Sequence, residues 1–213
     1  MAHVGRDRAH VGWQRAHVAW GGKPAPTPHS YLLNRVWRRK GSGTAGNWPT
    51  VDSYSYTNAL DQYAIAGKSH YDVTWYRERT WCSQYGAHTH IPADTIVAAS
   101  VTMPSSLAVA VALENFATLN VYLAPDGGGP TAKATYDVEG LPFLGSITQA
   151  ECVGGAVIPL DIAILNAHPG EDFAVVFATN VEAAGDPLEP VLGKASIAHW
   201  YATSSVPVAT LTY

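Results

Sequence analysis

The sequence predicts an all-β protein, a jelly-roll-like antiparallel β-sandwich with an extended N-terminal arm. Three observations carry that prediction. From Trp48 onward, short runs rich in β-branched and aromatic residues are cut by Gly, Pro, Asn and Asp roughly every 8 to 15 residues, as sandwich strands are. A strand-like run, Val97 to Val101, follows Ile91-Pro92-Ala93-Asp94-Thr95-Ile96, and a second, Pro207, Val208, Leu211 and Tyr213, closes the sequence. Charge is also divided: residues 1–40 hold eight Lys or Arg against Asp7 alone, a local +7, while residues 101–213 sum to −9. The reading therefore separates a basic extended arm, residues 1–46, from a sandwich domain, residues 47–213. With 47% apolar residues in 213, the chain has enough to fill one packed core.

Within the arm, the sequence repeats every seven residues: AHVGRDR, AHVGWQR, AHVAWGG. A coiled coil is disfavoured, because the apolar a and d pattern is missing and Gly5, Gly12, Gly21 and Gly22 each weaken a helix by about 1 kcal/mol. Short strands joined by turns fit the period better. Val18-Ala19-Trp20-Gly21-Gly22-Lys23 resembles the Val-Gly-Gly-Trp-Lys repeats found near the ends of many phage tail proteins. His3, His10 and His17 recur at a spacing that brings metal ligands together neither on a helix face nor across a knuckle, so no metal is expected. Trp13, Trp20 and Trp37 are large rings with few rotamers to freeze, the residues of interface hot spots, and are the expected partner anchors together with Arg38 and Arg39. Pro24, Pro26 and Pro28 stiffen residues 23–30 into a spacer, Tyr31 to Lys40 joins an apolar half to a basic end, and Gly41 to Gly46 reads as a flexible hinge. Arg38, Arg39 and Lys40 make too small a basic patch for nucleic acid to be the expected partner.

The sandwich strands are expected at Ser53 to Thr57, His70 to Arg79, Ile96 to Met103, Leu119 to Ala124, Ala134 to Val138, Val157 to Asp161, Phe173 to Thr179, Ala195 to Ala202 and Ala209 to Tyr213. Pro125 to Pro130 (PDGGGP) is a turn, and Leu160 to Asn166 (LDIAILN) a helical turn before the Pro169-Gly170 break. No run of about 18 apolar residues exists to cross a membrane as a helix, so no membrane insertion is expected. The opening MAHVGRDRAHV lacks the apolar stretch of a signal peptide, which sets the expectation of maturation in a cytoplasm. Cys82 and Cys152 stand seventy positions apart, fit no metal or redox spacing, and read as buried thiols.

The strand with Tyr76 and Arg77, then His90-Ile91-Pro92-Ala93-Asp94-Thr95-Ile96, then Ala99-Ser100-Val101, resembles the opening element of DNRLRE-type β-sandwich domains. Ser196 to Trp200 and the ending Pro207 to Tyr213 are similar to that family's last two strands. The likeness covers about residues 51–213 and implies a jelly-roll module of cell-surface or phage virion proteins, used for attachment and not for catalysis. The chain departs from the pattern in the Trp-rich segment Tyr76 to Gly86 and in the loop Val181 to Gly193, and no ligand site is carried over.

Chemistry is sparse. No nucleophile elbow, phosphate loop or His-Glu-x-x-His motif occurs. His88 and His90, with Asp94 nearby, are the only tempting metal pair, and surface or satisfied histidines are the preferred reading. Asp161 with Glu171 and Asp172 would serve glycoside hydrolysis only at a carboxyl separation that a sequence cannot give. Tyr54, Tyr56, Tyr63, Tyr71, Trp75, Tyr76, Trp81 and Tyr85 crowd one stretch, where Tyr71, Trp75 and Trp81 are expected in the core. Carbohydrate contact through Trp75, Trp81 and Tyr85 is the alternative use of that crowd. No cofactor and no enzymatic activity are expected. The combined expectation is a bacteriophage virion structural protein of the tail tip, baseplate or fibre attachment region. Its partners would be other virion proteins, itself as a trimer or hexamer, and a host surface glycan. A carbohydrate-binding adhesin and a capsid decoration or head-fibre protein are the alternatives.

Overall fold

The computed structural model describes residues 24–46, 53–58, 63–84, 90–111, 116–124, 138, 140–180, 192–203 and 205–213. It is an all-β, jelly-roll-like antiparallel sandwich. In chain order the strands are β1 Pro28–Leu32, β2 Arg35–Thr44, β3 Ser53–Asn58, β4 Tyr63–Tyr71, β5 Thr74–Ser83, β6 Ala98–Thr102 and β7 Ala108–Val111. They continue as β8 Thr118–Ala124, β9 Phe143–Thr148, β10 Val157–Pro159, β11 Ala174–Thr179, β12 Lys194–Tyr201 and β13 Val208–Thr212, with a short α-helix, α1 Ile162–Asn166, and a 3-10 turn at Gln149–Glu151.

A small sheet runs β1-β13-β6-β10, and a large curled one runs β7-β12-β4-β5-β11-β8-β9, with β2 and β3 attached through β5. β2 covers the whole length of one edge of β5, Arg35 opposite Ser83 through Thr44 opposite Thr74. The other edge is divided: β4 takes residues 74–78 of β5 and β11 takes residues 80–83. Thr80 sits at the fork, where its hydroxyl accepts from the Ile65 N–H at 2.9 Å and donates to the Ile65 carbonyl at 2.8 Å. Backbone groups of β4 that leave the ladder there are satisfied by a side chain instead, which spares the cost of burying them unpaired.

The main core lies between the two sheets. Val101, Ile158, Ala209 and Leu211 of the small sheet belong to one buried cluster with Leu119, Val121, Val175, Phe177, Ala198 and Trp200 of the large one. Phe177 meets Trp200 edge to face, with ring centres 5.3 Å apart. A second cluster, Trp81, Ala124, Val138, Ala174, Val176 and Ala178, packs on the opposite face of β5 and β11. β11 is thus covered on both faces and buried at all six positions, which explains its unbroken small and apolar composition, AVVFAT.

Several expected strands lie within two residues of the observed ends, among them β3, β8, β11, β12 and β13. The expected helical turn is α1, capped by Asp161, whose carboxylate accepts from the Ala163 and Ile164 N–H groups at 2.8 and 3.4 Å. Other expectations are corrected. The strand expected at His70 to Arg79 is a hairpin of β4 and β5, turned at Asp72, which adopts φ 56. Asp is among the few residues that tolerate this left-handed conformation. β7 and β9 were not expected, and of the strand expected at Ala134 to Val138 only Val138 falls among the described residues.

The largest correction concerns the arm. Residues 28–44, expected outside the sandwich, are two of its strands: β1 pairs with β13 and β2 with β5. Leu33 and Val36 are fully buried in the main core. Pro28 is tolerated because β1 is an edge strand. Of the glycines expected to make a hinge, Gly46 lies in the turn after β2, whereas Gly41 and Gly43 are within β2, facing Arg77 and the buried Trp75. Absence of a side chain at those positions gives the large cross-strand partners room, and the Trp75 indole N–H donates to the Thr44 carbonyl at 3.0 Å. Residues 1–23, including the heptad repeat, lie outside the described residues.

Candidate functional site

The residues expected to bind partners or sugars divide into those the structure describes and those it does not. Trp13, Trp20, Tyr85 and His88 are outside the described residues. Trp37 is partly buried against the second cluster, directly opposite Trp81. Arg38 donates to Glu78 at 2.5 Å, and Arg39 is only 2% exposed, its guanidinium 5.5 Å from the Trp81 ring centre. Trp75 and Trp81 have no exposure at all. A sugar must reach a ring face to stack on it, so the expected carbohydrate contacts at Trp75 and Trp81 are corrected to core positions, as Arg39 is from partner contact to buried cation. Tyr71, expected in the core, is instead 55% exposed.

The basic end of β2 is spent inside the sheet. Arg35 joins Arg39 over Trp81, also at 5.5 Å, and the Lys40 ammonium sits 3.4 Å from the centre of the Tyr76 ring. Burial lowers the Lys40 pKa, and the nearby Glu78 carboxylate opposes that shift. Lys68 and Arg79 are fully buried and engaged in contacts of their own. Cations in this position require partners to offset lost hydration.

The residues considered for metal binding or hydrolysis perform structural work. His90 Nδ1 lies 2.9 Å from Asp172 Oδ1, where the two residues also form a backbone bridge. His168 pairs with Glu171 at 3.0 Å, and the Ile91 N–H donates to the Glu171 carbonyl. These contacts pin the loop after α1 to the segment that enters β6. Asp161 is occupied as the helix cap, and Asp94 is exposed beside His29 and Tyr213. Among the described residues no group of three His, Cys, Asp or Glu is placed to hold a metal ion. No helix among them is long and apolar enough to cross a membrane. Cys82 and Cys152 are free and buried; burial raises both thiols, Cys152 to about 12.

Among the described residues, a pair of accessible tyrosines faces solvent on β4 and β12. Strand register places Tyr63 opposite Tyr201, Ile65 opposite His199, and Gly67 opposite Ile197, all on the face turned away from the core residues Ala64, Ala66, Ala198 and Trp200. Tyr63 and Tyr201 are 40% and 48% exposed, with ring centres 4.4 Å apart and phenol oxygens 2.5 Å apart. His199 meets Tyr63 edge-on at 5.5 Å, and burial lowers its pKa, which favours neutral imidazole. Gly67 interrupts the row of side chains. Tyr63, Ile65, Ile197 and His199 line a cavity of about 170 Å³. β7, on the outer side of β12, adds only small side chains here, Ala108 beside His199 and Ala110 beside Ile197.

Of these residues the sequence reading singled out Tyr63 alone. Tyr201, His199 and Ile197 carry a signal that was available, three large side chains at alternate positions of one strand, but alternation does not say which face meets the core. No protein-family model and no curated protein matches the chain.

Proposed function

We propose that the chain is a structural protein of a bacteriophage virion, from the tail tip, baseplate or fibre attachment region. In this reading residues 1–23 dock into neighbouring subunits and the sandwich is the displayed body. One observation supports it most: the segment that follows the repeat is built into both sheets. β1 joins the small sheet and β2 the large one, with Leu33 buried between them. A load applied to residues 1–23 would therefore enter the sandwich through two hydrogen-bonded ladders and a core residue, as a tether requires. The phage-tail-like repeat and the resemblance to DNRLRE-type modules point the same way. A head-fibre or capsid decoration protein differs only in the docking site, and the copy number expected of such roles is three or six.

Comparing the mass in solution of the full chain with that of a chain beginning at Pro24 tests the proposal. The cut falls at Pro24, because a start after the basic segment would remove β1 and part of β2. The expected result is that the full chain assembles or requires a partner for solubility, whereas the shortened chain is a folded monomer. Two identical stable monomers would overturn the tether.

A further inference from the structure

We propose that the outer face of β4 and β12 is a binding site for a neutral pyranose, seated against Tyr63 and Tyr201 over Ile65, Ile197 and Gly67. The assignment stands on the geometry of this face and does not depend on the assembly the chain joins. A pyranose has an apolar face of C–H groups and a rim of hydroxyls, and it needs a flat apolar surface with uncharged hydrogen-bonding groups at its border. Both are present. The tyrosine rings form one half-exposed wall, held in place by the hydrogen bond between their hydroxyls. Each phenol oxygen keeps further hydrogen-bonding capacity toward a ligand. His199 adds ring nitrogens at the same border, and among the described residues no acid, Lys or Arg lines the cavity.

Shape selects the size of the ligand. Beyond the wall, the cross-strand row steps down from Tyr63–Tyr201 to Ile65–His199 and then to Gly67–Ile197, flanked by Ala108 and Ala110 of β7. The step exists because Gly67 carries no side chain: a Cβ there would lie 2.2 Å from the Ser196 carbonyl oxygen. The cavity of about 170 Å³ equals roughly six waters and falls below the ~300 Å³ at which drug-sized pockets begin. It seats one ring by one face and leaves the other in solvent. A folded protein partner is a poorer fit, since stable interfaces need about 800 Å² from each side and this concavity is one ring wide. A single shallow contact of this kind implies a Kd on the order of 1 mM, lowered in effect by multivalent display of several copies.

The test is saturation-transfer NMR on the full chain with a panel of methyl pyranosides (glucose, galactose, mannose and N-acetylglucosamine), alongside Tyr201→Ala and Ala108→Glu. Ala108 is exposed on β7, so a Glu there crowds the ledge without touching the core. Thermal unfolding verifies that both variants stay folded. The expected result is transfer to the ring protons of at least one pyranoside, reduced at least fivefold in each variant. Transfer that survives both substitutions, or transfer to none of the four sugars, would overturn the site. So would self-association of the full chain that Ala108→Glu abolishes, which would make this face a contact between copies. The truncation at Pro24 leaves β4, β7 and β12 intact, so failure of the virion reading and failure of the sugar site are read separately.

Discussion

Replacing Gly67 by alanine tests how closely β4 and β12 approach, and its cost can be worked from two separate causes. The backbone of Gly67 has φ +139, a conformation that L-residues rarely adopt, and holding a non-glycine residue there costs about 1–3 kcal/mol. The new methyl would also stand 2.2 Å from the Ser196 carbonyl oxygen and 2.8 Å from Ile197 Cα, both backbone atoms that cannot swing aside. Overpacking of that kind adds about 1–3 kcal/mol. A central value of about 4 kcal/mol, for a chain of this length, lowers Tm by roughly 8–16 °C. Two further glycines separate the causes. Gly145 in β9 would place its Cβ 2.2 Å from the Pro159 carbonyl of β10 with no unusual φ, so Gly145→Ala carries the steric cost alone. Gly155 has φ +79 and open space around it, so Gly155→Ala carries only the backbone cost, about 1–2 kcal/mol. The assay is urea unfolding of the three variants beside the parent, with the m-value checked for constancy. Gly67→Ala is expected to be the most destabilising. If it costs no more than Gly155→Ala, the reasoning from close approach is wrong.

Two other perturbations follow from the buried charges and thiols. The Glu78 side chain is 4% exposed and faces Arg38 and Lys40, so Glu78→Gln leaves two half-buried cations less compensated, at an expected cost of about 1–3 kcal/mol. Arg38→Gln should cost less, because Arg38 is 22% exposed and Lys40 still faces the carboxylate; equal unfolding midpoints for the two variants would contradict this account. Burial raises the pKa of both thiols from 9.0, Cys152 to about 12, so in strong base the unfolded chain releases its thiol protons before the folded one does. The contribution of these groups to stability is accordingly complete below about 9 and is lost progressively as pH rises toward about 12. Urea midpoints measured across that range should fall, and a disulfide reagent at neutral pH should meet no reactive thiol until the chain unfolds. Prompt reaction of either cysteine in the folded protein would refute the burial.

What could be read in the sequence was what neighbouring residues settle. Alternating runs closed by turn residues placed β8, β12 and β13, an unbroken apolar run placed β11, and together they placed the class of the fold. The short run Leu160 to Asn166 ahead of the Pro169-Gly170 break marked α1, and the structure adds the Asp161 cap, which acts on N–H groups two and three residues away. The hairpin of β4 and β5 was read as one strand because Tyr71-Asp72-Val73-Thr74 has no glycine at the turn, and the left-handed φ fell to Asp72.

The candidate site was less legible than the fold. Tyrosine and tryptophan look alike in a local pattern, yet Trp75 and Trp81 are sealed in the interior while Tyr63, Tyr71 and Tyr201 are open. Burial here depends on the fork of the large sheet, which lets apolar clusters form on both faces of β5 and β11. No two-residue period within one strand reports that arrangement.

The sequence by itself determined an all-β chain and the position of α1. Only the tertiary structure decided that residues 28–44 are strands, which aromatic rings meet solvent, and that Arg39, Lys68 and Arg79 are buried. The physical reason is distance along the chain. Leu32 pairs with Val208, and Arg35 with Ser83; a charged, proline-flanked segment becomes a strand because remote edges supply its hydrogen bonds, and those edges exist only once the sandwich has formed.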